Sequence, residues 1–324
     1  MEVRHVQETG GGTLFISLPK KWAKLHGLNR KSIVYVIERL DGSLVVTPQY
    51  DMDKSLKAGS ITPTTYLEQE IVGKYLQGYD VLEIESKERI TPPQREQVKA
   101  ICHRLIGLEI IEETANKIVL QFLLEPSAFP PAKILHREFL ISFDMLKDVL
   151  SAFLERDINL AKNVVERDDE VDRLYFLLVR TLRKALLSPS VSEKNSIPLI
   201  DCLDYRLFAS FIEAVSDRAT EFAQEIIKGS DIFLPPILLR GISELGIIAH
   251  KMYETAASSF LSRNFAISRE AHAQHSSAFT LIKELDKLVL NQPLNVASFA
   301  STLIVTLRKV CDHSIDIADL VMPK

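Results

Sequence analysis

From Ala132 to the C-terminus apolar residues recur at helical spacing, with breaks near Asp157, at 188–198, at 230–236, near Asn264 and at 291–295. Five breaks predict six helices, and Asp157 and Asn264 are suitable N-caps for two of them. The N-terminal third is patterned differently. Thr13 to Ile16, Ser32 to Ile37 and Ser43 to Thr47 are short β-prone runs, and Gly10, Gly11 and Gly12 interrupt the chain just before them. Ser17 and Pro19 mark a helix start, Gly27 its end, and Asp41-Gly42 the turn of a hairpin. Between these regions, Thr65–Leu76 and Pro93–Ile106 read as helices, and Asp80–Glu85, Leu108–Glu112 and Lys117–Leu124 as strands. Gly78 reads as the C-cap of the first of these helices, with a ligand loop as the alternative. Pro126, Pro130 and Pro131 form a linker. The expected fold class is therefore multidomain α+β: a β-hairpin domain at 1–50, a small α+β domain at 60–128 and an all-α domain at 132–324.

The helical half repeats. AFLERDINLA, with Phe153 and Asp157, is echoed by SFLSRNFAIS, with Phe260 and Asn264. Asp172 in DRL is echoed by Asp286 in DKL, and Asp217 in SDRATEFAQEI by Asp312 in CDHSIDIADLV. Two three-helix bundles, about 132–230 and 235–324, account for the pattern. Phe153 to Asp172 spans 19 positions and Phe260 to Asp286 spans 26, so the second copy is expected to be longer by seven residues, close to two helical turns.

Composition narrows the function. The chain has 324 residues, 46% hydrophobic, with a net charge of -4, which allows two or three domains with real cores and excludes a polycation that coats nucleic acid. Cys102, Cys202 and Cys311 are isolated, so neither a disulfide framework nor a zinc knuckle is indicated. No apolar run reaches membrane-spanning length and no signal pattern opens the chain, so a soluble, cytoplasmic protein without membrane insertion is expected. The first 41 residues are locally basic: seven cations against four acids give about +3 per copy, or about +6 for a dimer. Arg4, Lys20, Lys21 and Lys24 are the candidate DNA contacts, Lys20 and Lys24 sharing a helical face; a solvated face is the competing reading.

The strongest chemical pattern lies in the first repeat. Asp168 and Asp172 stand four apart on one predicted helix, and Glu213 and Asp217 four apart on the next. Across a bundle four ionised carboxylates repel unless a cation neutralises them, although DxxxD and ExxxD also occur on solvent faces. Oxygen-only ligands suit magnesium, manganese, calcium or iron better than structural zinc. Enzyme readings find little support. Asp168, Asp169 and Asp172 spell DDxxD, but no second such motif follows; no ExxH di-iron pair, phosphate-binding loop or GxSxG elbow is present. No enzyme activity is expected.

TGGGTLFISLPKKWAKLHGL and the hairpin around DGSLVVTP resemble the SpoVT/AbrB swapped-hairpin family, which implies a homodimer of interleaved hairpins that binds DNA. ERDDEVDRLYF, LDYRLFASFIEAVSDRATEFAQEI and TLRKVCDHSIDIADLV resemble PhoU, whose paired three-helix bundles carry E(D)xxxD metal motifs. That resemblance assigns Asp168, Asp172, Glu213 and Asp217 to a first metal set and Asp286 and Asp312 to an eroded second set. In the second set Ile282 falls opposite Asp168 and Arg308 opposite Glu213. The combination resembles the archaeal PhoU-like regulators. It implies a DNA-binding transcriptional regulator of phosphate uptake holding iron, zinc, manganese or magnesium. An adaptor that dimerises through the hairpin and docks on a phosphate ABC transporter ATPase or a signalling kinase is the alternative.

Overall fold

A computed structural model describes residues 3–38, 42–48, 56–125, 129–187, 198 and 200–323. The chain divides into two compact units, Met1–Ser55 and Leu56–Lys324.

The first unit holds two antiparallel pairs, β1 (Gln7–Glu8) with β2 (Leu14–Phe15) and β3 (Tyr35–Glu38) with β4 (Leu44–Thr47), and one short helix, α1 (Lys20–Leu25). Gly12, Gly27 and Gly42 all adopt positive φ, as the turns and the helix end require. Asp41 lies outside the described residues. One local expectation is corrected. Pro19 rather than Ser17 occupies the N-cap, no side chain caps α1, and the Ser17 hydroxyl instead accepts a hydrogen bond from Arg4. None of the described residues of this unit is buried, and Val3, Val6, Leu14, Phe15, Ile33 and Val36 are all exposed. The described residues of one copy alone thus form no buried hydrophobic core.

The second unit opens with a four-stranded sheet in the order β5-β6-β8-β7: β5 (Ala58–Ile61) runs parallel to β6 (Val81–Glu85), and β8 (Lys117–Phe122) pairs antiparallel with both β6 and β7 (Leu108–Glu113). Two helices, α2 (Leu67–Leu76) and α3 (Pro92–Arg104), cover one face and bury Ile71, Tyr75, Val98 and Ile101 against Leu82, Ile84 and Leu120. Thr91 and Gln94 form a capping box at the start of α3, and Gly78 takes φ +78° just past α2. Strand β5 was not expected from sequence: its four residues, AGSI, include a glycine and a serine and carry no alternation.

Six long helices follow: α4 (Pro131–Glu155), α5 (Ile158–Leu187), α6 (Asp201–Lys228), α7 (Pro236–Ser262), α8 (Phe265–Val289) and α9 (Leu294–Asp319). Helices α4 to α6 form one bundle and α7 to α9 another, packed together mainly through α6 against α9. Both expected caps are present. The Asp157 carboxylate accepts from the amides of Asn159 and Leu160, and the Asn264 side chain accepts from Ala266. Arg156 and Arg263, which precede them, share the left-handed conformation. The expected seven-residue excess in the second copy is corrected: α8 has 25 residues and α5 has 30. The sequence echo matched Asp286 to Asp172 across unequal helices. A second correction concerns α9, which is long and apolar enough to cross a membrane by length and composition, although Leu303, Leu307, Val310 and Ile317 are buried in the bundle.

Sheet and bundle are joined at one buried ion pair. Arg180 of α5, 1% exposed, donates to the carbonyls of Tyr75 and Tyr79 at 2.7 Å and to the Asp80 carboxylate at 3.0 Å, with its guanidinium over the Phe122 ring. Lys184 reaches the same carboxylate at 2.7 Å from a more exposed position. Removing one partner of such a pair strands the other, which costs about 3–5 kcal/mol. Arg180→Met should therefore lower stability to urea by about that much, and Lys184→Met by about 1 kcal/mol or less. Equal losses from the two variants would show that Arg180 is not the anchor.

Candidate functional site

Helix spacing places the acidic side chains of the first repeat. Asp168 and Asp172 are one turn apart on α5, Glu213 and Asp217 one turn apart on α6, and the buried Val171, Leu174, Ile212 and Val215 interleave with them. All four carboxylates are half-buried rather than solvated. A fifth joins them from α4. Glu138 is fully buried, and neither of its carboxylate oxygens has a hydrogen-bond partner. Sequence analysis missed it. The signal was an acid on the apolar stripe of α4, among Leu135, Phe139 and Ser142.

The electrostatics show that these groups share one space. Burial, then the Glu213 charge, pushes Glu138 well above the ordinary carboxylate range. Burial, Asp217 and Asp172 push Asp168 up to about 6. Burial together with Asp217, Asp172 and Asp168 pushes Glu213 up to about 7, against the opposing charge of Arg206. Asp172 and Asp217 are raised by burial too, opposed by Arg104 and Arg218 respectively. His313 of α9 also lies close enough to oppose the rise at Asp217.

An excess of buried negative charge with an unpartnered carboxylate is the donor chemistry that a multivalent cation fits. Geometry is less advanced than chemistry. Among the described residues no three His, Cys, Asp or Glu side chains are grouped closely enough to hold a metal ion. The carboxylates therefore form an acidic cluster without a preformed coordination shell.

The second repeat has a different solution. Asp286 is exposed and Ile282 is in the core, 4% exposed, so neither stands where a carboxylate of the first set stands. Counted from the left-handed turn residues, His275 lies as far beyond Arg263 as Asp168 lies beyond Arg156, and Phe279 as far as Asp172. His275 pairs with Asp312 at 3.3 Å, and Arg308 approaches the same carboxylate at 3.9 Å. His275 and Arg308 thus stand beside Asp312. Asp286 is not brought to it by any contact among the described residues.

On the N-terminal unit, Lys20, Lys21 and Lys24 are exposed on α1. Arg4 lies beside Ser17. Trp22 is half-buried with its ring 5.1 Å from that of His26.

Comparison with known proteins agrees with this division. The PhoU domain family matches residues 135–226, and the family described as "Antidote-toxin recognition MazE, bacterial antitoxin" matches residues 7–52. The phosphate-specific transport system accessory protein PhoU of Edwardsiella tarda is 29% identical over 161 residues, covering 46% of this chain and 61% of that protein. The corresponding protein of Serratia marcescens is 27% identical over 158 residues, covering 45% and 60%. The chain thus spans about three fifths of the length of these curated relatives. The crystal structure of PhoU from Pseudomonas aeruginosa superposes with a TM-score of 0.55 at 16% identity, over 60% of this chain and 95% of that one, which shows a shared fold. The chain thus carries a MazE/AbrB-like domain at its N-terminus, residues 7–52, followed by a PhoU domain at residues 135–226.

Proposed function

We propose that this protein is a cytoplasmic, homodimeric regulator of phosphate uptake that contacts DNA through its N-terminal hairpins and holds a multivalent cation in the carboxylate pocket of its first bundle. The observation that carries the reading is the buried, unpartnered Glu138 among four mutually repelling carboxylates, inside the segment matched by the PhoU domain. Asp168, Asp172, Glu213 and Asp217, with Glu138 behind them, are the residues that would hold the ion. Manganese, magnesium or iron suits such oxygen donors, with zinc the other candidate. Its role when bound is to neutralise charge; no catalysis is assigned. The second repeat, with His275 and Arg308 around Asp312, is proposed to need no ion.

Dimerisation follows from the absence of any buried residue in the described part of the N-terminal unit. A second copy covering Leu14, Phe15, Ile33 and Val36 would supply the core that one copy lacks. Lys20, Lys21, Lys24 and Arg4 would then be duplicated on one body and contact phosphates. The second reading is an adaptor that dimerises in the same way and docks on a phosphate transporter ATPase or a sensor kinase. It is favoured by the naming of the relatives as transport-system accessory proteins.

Salt dependence separates the two readings. DNA retention by the dimer should fall steeply with salt, and Lys20→Ala with Lys24→Ala should weaken binding to all sequences and shallow the slope by about one per phosphate contact removed. No retention even at low salt would leave the adaptor reading. For the cation, the pair Glu213→Ala and Asp217→Ala should empty the purified protein of its multivalent metal; unchanged metal content would sink the carboxylate assignment.

Linkage gives an independent test. Folding raises Asp168 to about 6 and Glu213 to about 7, so the fold is most stable with both protonated and loses stability as pH rises from about 4 to about 7. In chelator, the unfolding temperature should fall between pH 5 and pH 7.5, and Mn²⁺ at about 100 times its Kd should restore about 2.7 kcal/mol at the higher pH. Asp168→Asn with Glu213→Gln should flatten both responses. A chelated wild-type protein that gains stability over that pH range would contradict the account.

A further inference from the structure

One cation near the carboxylate pocket does not belong to the helical bundle. Arg104, the last residue of α3, donates from one guanidinium nitrogen to Glu68 at 2.8 Å and places the other 3.6 Å from the Asp172 carboxylate, with its guanidinium carbon 5.9 Å from the centre of the Phe176 ring. Glu68 sits on α2, so the first contact lies within the sheet domain and the second crosses to α5. The two contacts are unequal. That to Glu68 is a charge-assisted hydrogen bond, whereas that to Asp172 is longer than any hydrogen bond and half open to water, at 42% exposure for Arg104 and 31% for Asp172. The other cations around the pocket, Arg206 and Arg218, lie on α6 within the bundle. Between sheet domain and bundle, the strong attachment is the buried Arg180 pair, two turns further along α5.

We propose that Arg104 is a built-in counterion for the pocket, and that a cation entering among the carboxylates releases Arg104 from Asp172 to Glu68 alone, loosening the end of α3 from α5 while Arg180 keeps the domains attached. This inference rests on the proposed cation site and names its regulation. A multivalent ion near Asp172 repels the guanidinium, and Glu68 offers it an alternative partner already in place at 2.8 Å. Because coupling is reciprocal, whatever moves α3 in the sheet domain also changes cation affinity by the same factor. The chain after Arg104 leads directly into β7, so release would reach the sheet edge.

The test uses the full-length protein and Mn²⁺. Arg104→Gln should bind Mn²⁺ more tightly, on the order of tenfold. Lys99→Gln removes the same charge from an exposed site on the same helix, where Lys99 pairs with Glu96 at 3.2 Å, and should leave affinity unchanged. In wild-type protein, Mn²⁺ should speed hydrogen exchange at the C-terminal turn of α3; in Arg104→Gln exchange there should already be fast and insensitive to Mn²⁺. Equal Mn²⁺ affinity in wild type and Arg104→Gln, or an equal gain from Lys99→Gln, would overturn the coupling while leaving the cation site intact. Failure of both wild type and Arg104→Gln to bind Mn²⁺ would overturn the coupling and the cation site together.

Discussion

Carboxylates withdrawn from water beside one another lose hydration and gain repulsion, and only a proton or a positive charge offsets both. The first bundle meets that constraint at Glu138, Asp168, Asp172, Glu213 and Asp217. Arg206 and Arg218 answer part of the charge from within the bundle and Arg104 answers part from outside it. Burial and mutual repulsion raise the pKa of all five carboxyls, Asp168 to about 6 and Glu213 to about 7. Binding of a metal ion at such a cluster would release whatever protons it holds. In the second bundle, built on the same plan, Asp312 is exposed and has His275 at 3.3 Å and Arg308 at 3.9 Å beside it.

The same economy of charge joins the domains. Asp80, just before β6, is paired with Arg180 and Lys184 from α5, and Arg180 also donates to the carbonyls of Tyr75 and Tyr79 where α2 ends. Phe122 packs against both hydrophobic cores, so the sheet domain and the bundle fold against one another around a single helix, α5. In the N-terminal unit none of the described residues is buried, and Val3, Val6, Leu14, Phe15, Ile33 and Val36 are exposed.

Much of this was legible in the sequence because it depends on local rules. Breaks at Asp157, Asn264 and 230–236 are capped or proline-led helix starts, and their chemistry is carried by the residues at the breaks. The carboxylates of α5 and α6 were readable from four-residue spacing. Glu138 was not, because a single acid on an apolar stripe has no spacing partner on its own helix. Arg104 and Arg180 were not, because their partners lie on other elements, Arg180's some hundred positions away in sequence. The register of the second repeat failed for a related reason: the match of DRL to DKL followed residue type, whereas the left-handed turn residues Arg156 and Arg263 set the geometric count. Strand β5 is defined by its parallel partner β6 rather than by its own residues.

The central claim is that the first bundle, and not the second, holds a multivalent cation among its carboxylates. Anomalous diffraction from crystals of the full-length protein equilibrated with Mn²⁺ near neutral pH tests it most directly. The account predicts a peak between α5 and α6 within coordination distance of Asp168, Asp172, Glu213 or Asp217, and none beside Asp312. A peak only beside Asp312, or no peak at either position in crystals saturated with Mn²⁺, would contradict it.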